Sequence, residues 1–137
     1  MDSNTFSYKQ KVKPEDIDEL NHVNNVVYVQ WIQDAAVMHW NKVAPEHIKN
    51  KYVWVIVRHE IDYKQPGKLN DELLIKTKVL NARGVVSDRQ VQIFRASDMQ
   101  LLVEAKTTWC MIQADIQRPA RVTDEVKGLF LPVSERH

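Results

Sequence analysis

From Val26 to Val43 apolar residues recur at helical spacing in two adjoining rows. Val29, Ile32, Ala36 and Val43 form one and Val27, Trp31, Ala35 and Met38 the other, leaving Gln30, Gln33, Asp34, Val37 and Asn41 for the remaining side. A helix so widely apolar has to be covered on several sides, with large residues such as Trp31 and Met38 in the core. The segments around it have the period of strands. Phe6 to Val12 alternates up to Pro14. Tyr52 to Tyr63 is rich in β-branched and aromatic residues, with Val53, Val55, Val57, His59, Ile61 and Tyr63 expected on one face. Leu73 to Leu80, Val85 to Arg95 and Leu101 to Ile112 follow. They are separated by Lys64–Lys68, by Asn81–Gly84, where Gly84 can take a positive φ, and by Ala96–Gln100. A short helix is expected from Pro45 and another over Asp124–Gly128, capped by Thr123, with Arg118–Arg121 extended between them. Strands joined by short turns predict an antiparallel meander with the long helix on one face, an α+β domain.

The 137 residues suit one domain, 1–137, without repeats or linkers. A formal net charge of +1 gives no general attraction to nucleic acid. The N-terminus has neither the basic start nor the apolar run of a signal peptide, and no apolar stretch is long enough to cross a bilayer, so a cytoplasmic protein with no membrane partner is expected. The single cysteine, Cys110, cannot form an internal disulfide, which agrees with a reducing compartment.

Immediately before the helix, Asp16-Ile17-Asp18-Glu19-Leu20-Asn21-His22-Val23-Asn24-Asn25 brings two aspartates, a glutamate, an imidazole and three amides into ten residues. Capping explains one or two of them. A helix N-terminus also presents unbonded N–H groups to an oxygen that carries negative charge, so a carboxylate and a histidine there can act on a bound carbonyl. Other hydrolytic machinery is missing. The only glycines are Gly67, Gly84 and Gly128, so there is no Gly-x-Ser-x-Gly turn and no glycine-rich phosphate loop. Cys110 has no neighbouring base, and Asp16, Asp18 and His22 lack the spacing of a metal motif, so no metal is expected.

The order Asp16-Ile17-Asp18, then His22-Val23-Asn24-Asn25, Tyr28 and Asp34, resembles the hot-dog-fold acyl-CoA thioesterases of the 4-hydroxybenzoyl-CoA thioesterase type. The His-Val-Asn-Asn variant is most similar to bacterial long-chain acyl-CoA thioesterases and, more distantly, to plant acyl-ACP thioesterases. The likeness continues through the Arg-His-Glu-Ile-Asp-Tyr run and the Gln65-Pro66-Gly67 turn to Asp71. Two departures stand out: Asn21 where many relatives have Gly, and Leu20 where the plant enzymes have an Asn thought to join catalysis, so the plant mechanism does not carry over whole.

The resemblance implies a curved antiparallel sheet wrapped around one long central helix, in a homodimer or homotetramer whose subunits share two active sites. It implies hydrolysis of a fatty or aromatic acyl-CoA to free acid and coenzyme A, with no cofactor beyond the coenzyme A of the substrate. Asp18 is then the catalytic carboxylate, as nucleophile or as base for water. The backbone N–H near Asn25 meets the oxyanion, and His22 orients substrate, donates to the oxyanion, shuttles a proton or only ties down the loop. Tyr28 and Trp31 are candidates to line the acyl tunnel, although core packing explains them equally. His59 is a further substrate-binding candidate that also fits a core histidine. Arg89 and Lys64 are candidate partners for the coenzyme A phosphates, or solvated charges. The alternatives are a hot-dog enzyme acting on acyl-ACP or enoyl thioesters, and a non-catalytic acyl-CoA-binding or assembly module.

Overall fold

The computed structural model describes residues 4–132. Strand β1 (Phe6–Lys11) runs through a 3-10 turn (Pro14–Asp16) and the polar loop into helix α1 (Asn25–Val43), which the short helix α2 (Glu46–Lys49) follows. The remaining chain is β2 (Tyr52–Tyr63), β3 (Glu72–Arg83), β4 (Val86–Arg95), β5 (Gln100–Gln113), the two-residue β6 (Arg118–Pro119) and helix α3 (Asp124–Phe130), capped by the Thr123 hydroxyl. The sheet is antiparallel throughout, in the order β1-β3-β4-β5-β2, with β6 on β5.

The sheet wraps α1 through two apolar clusters. One, at the N-terminal half of the helix, joins Tyr28, Trp31, Ile32 and Ala35 to Leu73, Ile75, Val91, Ile93, Val103 and Ala105. The other lies under its C-terminal end, where Trp40 and Val43 pack on Tyr52, Trp54, Met111, Val126 and Phe130. The buried stripe of the helix is Tyr28, Trp31, Ile32, Ala35, Ala36 and His39. It includes a histidine, and it leaves Met38, expected in the core, 39% exposed.

Strand β2 departs from its expected alternation. A bulge at Val57 shifts the pairing, with Ile56 opposite Trp109 but Arg58 opposite Thr108. One extra residue reverses which side chains face inward. Tyr52, Trp54 and Ile56 share the inner face with His59, Ile61 and Tyr63, while Val53 and Val55 turn outward and are each 45% exposed. His59 is exposed, so the core-histidine expectation fails; it lies on β2, the last strand on its side of the sheet. In β3 a second bulge, at Leu80, carries the strand on to Arg83, past the expected reversal, and Gly84 makes the turn at φ 57°.

Helix α1 is fastened to the β2–β3 connection by the Tyr28 hydroxyl, which accepts from the Gly67 N–H at 2.9 Å in a buried position. A Cβ on Gly67 would stand 2.8 Å from that oxygen and 3.1 Å from Val23, so only glycine fits. Tyr28→Phe should orphan the Gly67 N–H and destabilise the fold by about 1–3 kcal/mol. Urea unfolding should show this as a lower midpoint at unchanged m-value.

Candidate active site

The loop ahead of α1 is built by its own polar groups. Asp18 Oδ1 accepts from the Leu20 N–H at 2.9 Å and the His22 N–H at 3.3 Å, and the Asp18 N–H donates to the His22 carbonyl. This closes a tight turn whose tip, Asn21, has φ 60°. Asparagine tolerates that left-handed conformation, which explains how it can stand where relatives have glycine. Asp16 braces the loop at both ends: its carboxylate accepts from the Lys13 N–H and its carbonyl from the Asn24 N–H. Asn24 caps the helix, with its side chain accepting from the Val26 N–H at 3.0 Å.

The next N–H, that of Asn25, is the first of the helix and has no acceptor among the described residues. It stands at the positive end of a 19-residue helix, where an oxygen bearing negative charge is favoured. Asp18 and His22 are half-buried in the same loop, and the His22 ring has no hydrogen bond to a described residue. The turn beyond β2 holds this loop from behind. The Val23 N–H donates to the Gly67 carbonyl, His22 bridges to Lys68, and Arg95 reaches Asp71 and the Pro66 carbonyl, each at 3.4 Å.

Tyr28 and Trp31 are buried side by side in the first core cluster, with ring centroids 5.7 Å apart. His59 lies on the exposed inner edge of β2. A cavity of about 310 Å³ lies elsewhere, under the C-terminal half of α1, lined by Ala36, Val37, Trp40, Trp54, Trp109 and Phe130 among others. Arg89, read from sequence as a candidate for phosphate at the surface, is buried in its wall. Its Nη1 donates to His39 Nδ1 and to Thr77 Oγ1, both at 2.9 Å, and its guanidinium lies 5.6 Å over the Phe130 ring. The signal was present in β4, where Arg89 shares its register with Ser87, Val91 and Ile93, all buried.

Burial, with the charges of Arg89 and Lys42 adding to it, pushes His39 down to about 3. The ring is therefore neutral at pH 7, and accepting at Nδ1 fixes its proton on Nε2. Among the described residues no group of three or more His, Cys, Asp or Glu side chains is placed to hold a metal ion, and no helix is long and apolar enough to cross a membrane.

A curled antiparallel sheet wrapped around one long helix is the hot-dog fold. A sequence search of curated proteins finds no match. The profile of the acyl-ACP thioesterase N-terminal domain, however, matches residues 3–130, and the chain belongs to that family. It is accordingly an enzyme, a thioester hydrolase. Among solved structures, a 1,4-dihydroxy-2-naphthoyl-CoA thioesterase from Synechocystis superposes with a TM-score of 0.80 at 20% identity, over 95% of this chain and 98% of that one. The 12:0-ACP thioesterase from Umbellularia californica gives 0.80 at 13% identity, over 94% of this chain and 51% of that one, so this chain spans about half of the plant enzyme. The hypothetical protein SAV2348 from Staphylococcus aureus, in complex with CoA, gives 0.80 at 15% identity, over 91% and 80%.

His39 has a lower affinity for protons folded than unfolded, so its contribution to stability is complete above about pH 6.5 and is lost as the pH falls toward about 3. Between pH 7.5 and 5 this should remove roughly 2 kcal/mol from the unfolding free energy. Urea titrations at the two pH values should show that loss in the wild type and a clearly smaller one in His39→Gln.

Proposed function

We propose that this chain is an acyl-CoA thioesterase, releasing a free acid and coenzyme A, with Asp18, His22 and Asn25 as its reacting groups. The observation that carries this is the free Asn25 N–H at the start of α1, in the same short loop as the Asp18 carboxylate. With one carboxylate oxygen held by two backbone N–H groups, the side chain is oriented for its role. Either it attacks the thioester carbonyl, expelling coenzyme A thiolate and leaving an anhydride for water to cleave, or it takes a proton from the water that attacks. In both routes the carbonyl oxygen becomes an oxyanion that accepts from Asn25 N–H. His22, with its ring uncommitted, orients the thioester or carries a proton. No cofactor is needed beyond the coenzyme A of the substrate, and the single buried thiol, Cys110, suits a reducing cytoplasm.

We further read the working unit as a homodimer formed along β2, which doubles in turn if the dimers pair into tetramers. The twelve-residue β2 is the last strand on its side of the sheet, with exposed Val53, Val55 and Val57, a form that soluble proteins normally cover. β2 runs opposite to α1: Tyr63 touches Tyr28 near the helix start, and Trp54 touches Trp40 near its end. A two-fold axis near Val57 would therefore bring the loop of one copy beside the Trp40–Trp54 cavity of the other. This matters because α1 climbs about 22 Å from Asn25 to Trp40, too far for a short acyl group within one subunit.

The family profile that matches is that of acyl-ACP thioesterases, which favours a carrier-protein thioester as the second reading. Tyr28 and Trp31 serve either reading by holding α1 in place, and His59 stands at the proposed subunit boundary.

Free-thiol release from acyl-CoA esters of graded length and from the matching acyl-ACP should distinguish the two substrates. Asp18→Asn should abolish turnover while ligand still binds. Asn25→Pro should lower turnover about 100- to 1,000-fold at near-normal stability, because proline is well accepted at the first helical position and removes only the N–H. Unchanged turnover in folded Asn25→Pro would remove that N–H from the mechanism. Val57→Glu sets like charges against each other at the proposed axis. In sedimentation it should run as a 16.0 kDa monomer with little activity, whereas a wild type that is itself an active monomer would end the shared-site reading.

A further inference from the structure

The cavity under α1 is unusual in its charge. Two of the residues that line it, Arg89 and Lys49, are cations, and no Asp or Glu is among them. Lys49 has a partner at the rim, Glu46 at 3.3 Å. Arg89 is 5% exposed, and among the described residues it forms no ion pair. Its sequence neighbour Asp88 points to the opposite face of the strand, where Thr108, Asn81 and Arg83 engage its carboxylate. The groups that do meet Arg89 are neutral: the His39 ring, the Thr77 hydroxyl and the Phe130 face. Both hydrogen bonds fall on Nη1, so Nε and Nη2 keep donors to offer.

Burying a cation without a counter-ion is costly, and an apolar side chain of similar volume would avoid that cost. Burial does draw Arg89 down, to about 9, yet this leaves it charged at neutral pH. His39 cannot compete for the proton, since its own affinity is depressed. The surroundings are aromatic: Trp40 stands edge-on to Trp54 at 5.8 Å and stacks on Phe130 at 5.9 Å, with Trp109 across the cavity. A volume of about 310 Å³ lies at the small end of ligand pockets, and a lining of aromatic faces and edges suits a flat ring that can pack against them.

We propose that this cavity is a binding site for a ring-bearing carboxylate, with Arg89 as its buried counter-ion, so that the preferred acyl group is the monothioester of an aromatic dicarboxylic acid. The proposal rests on the thioesterase and shared-site reading for the placement of the thioester, which the loop of the partner subunit would hold at the cavity mouth. A carboxylate suits Arg89 better than a phenol does, because a phenol with a pKa near 10 is uncharged at neutral pH. A guanidinium fork also matches the two oxygens of a carboxylate.

Two measurements on the full chain separate this inference from the reading beneath it. The first needs no turnover: quenching of tryptophan fluorescence by benzoate and by benzamide, which share a ring and differ in charge. Benzoate should bind at least tenfold more tightly to the wild type, and the ratio should collapse toward one in Arg89→Met. Equal binding of the two by the wild type overturns the site, whether or not the variant folds. The second is the ratio of kcat/KM for 4-carboxybenzoyl-CoA to that for benzoyl-CoA, with 4-hydroxybenzoyl-CoA in parallel. The carboxylated ester should be preferred at least tenfold, and Arg89→Met should erase the preference. Preference for the hydroxylated or the plain ester overturns the substrate assignment and leaves the thioesterase standing. Benzoate binding through Arg89 with no thiol released from any ester upholds the carboxylate site and ends the acyl-CoA reading instead.

Discussion

The hydrogen bond from the Gly67 N–H to the Tyr28 hydroxyl ties together the three pieces on which this enzyme depends. Tyr28 belongs to the first turn of α1, Gly67 to the turn that follows β2, and the Gly67 carbonyl in turn accepts from Val23 in the polar loop. Loop, helix start and sheet are therefore fixed by one glycine whose main chain is used at both its donor and its acceptor. No other residue fits there, since a Cβ would collide with the tyrosine oxygen. Among the described residues the Asn25 N–H has no acceptor, whereas the Asn24, Val26 and Val27 N–H groups donate to the Asp16 carbonyl, the Asn24 side chain and the Asn24 carbonyl.

Electrostatically the loop ahead of α1 and the cavity beneath its C-terminal half are of opposite design. Around Asp18 the backbone supplies neutral donors and the negative charge sits at a half-buried loop. Around Arg89 a positive charge sits in an aromatic wall with only neutral acceptors among the described residues, and burial, with that charge adding to it, keeps its neighbouring histidine unprotonated. Within one subunit the length of α1 separates the two, which is why the pairing of β2 edges matters to how they could cooperate.

Much of the fold was legible from periodicity. α1 and β2 lie where the spacing placed them, as do the Thr123 cap, the Gly84 turn and the helix after Pro45. The errors in β2 share one cause: side-chain facing in a strand depends on parity, and a bulge changes parity without changing composition. Hence Val53 and Val55 were assigned to the same face as Ile61, and His59 to a core. The helix erred differently, because Tyr28 and His39 are polar enough to escape an apolar tally although they lie on the buried stripe. The loop stood out in the sequence because Asp, His and Asn crowd together there, and the Asp16, Asp18 and Asn24 side chains build its turns and the helix cap. The cavity did not, since Trp40, Trp54, Arg89, Trp109 and Phe130 come from five separate elements that only the folded sheet assembles.

The bulge at Val57 also divides β2 into two halves that answer to different demands. Before it, Tyr52 and Trp54 face the cavity end of the helix; after it, Ile61 and Tyr63 support the end that carries the polar loop. Because the extra residue absorbs the change of parity, substitutions in the first half can reshape the cavity under α1 without propagating into the frame that holds the loop.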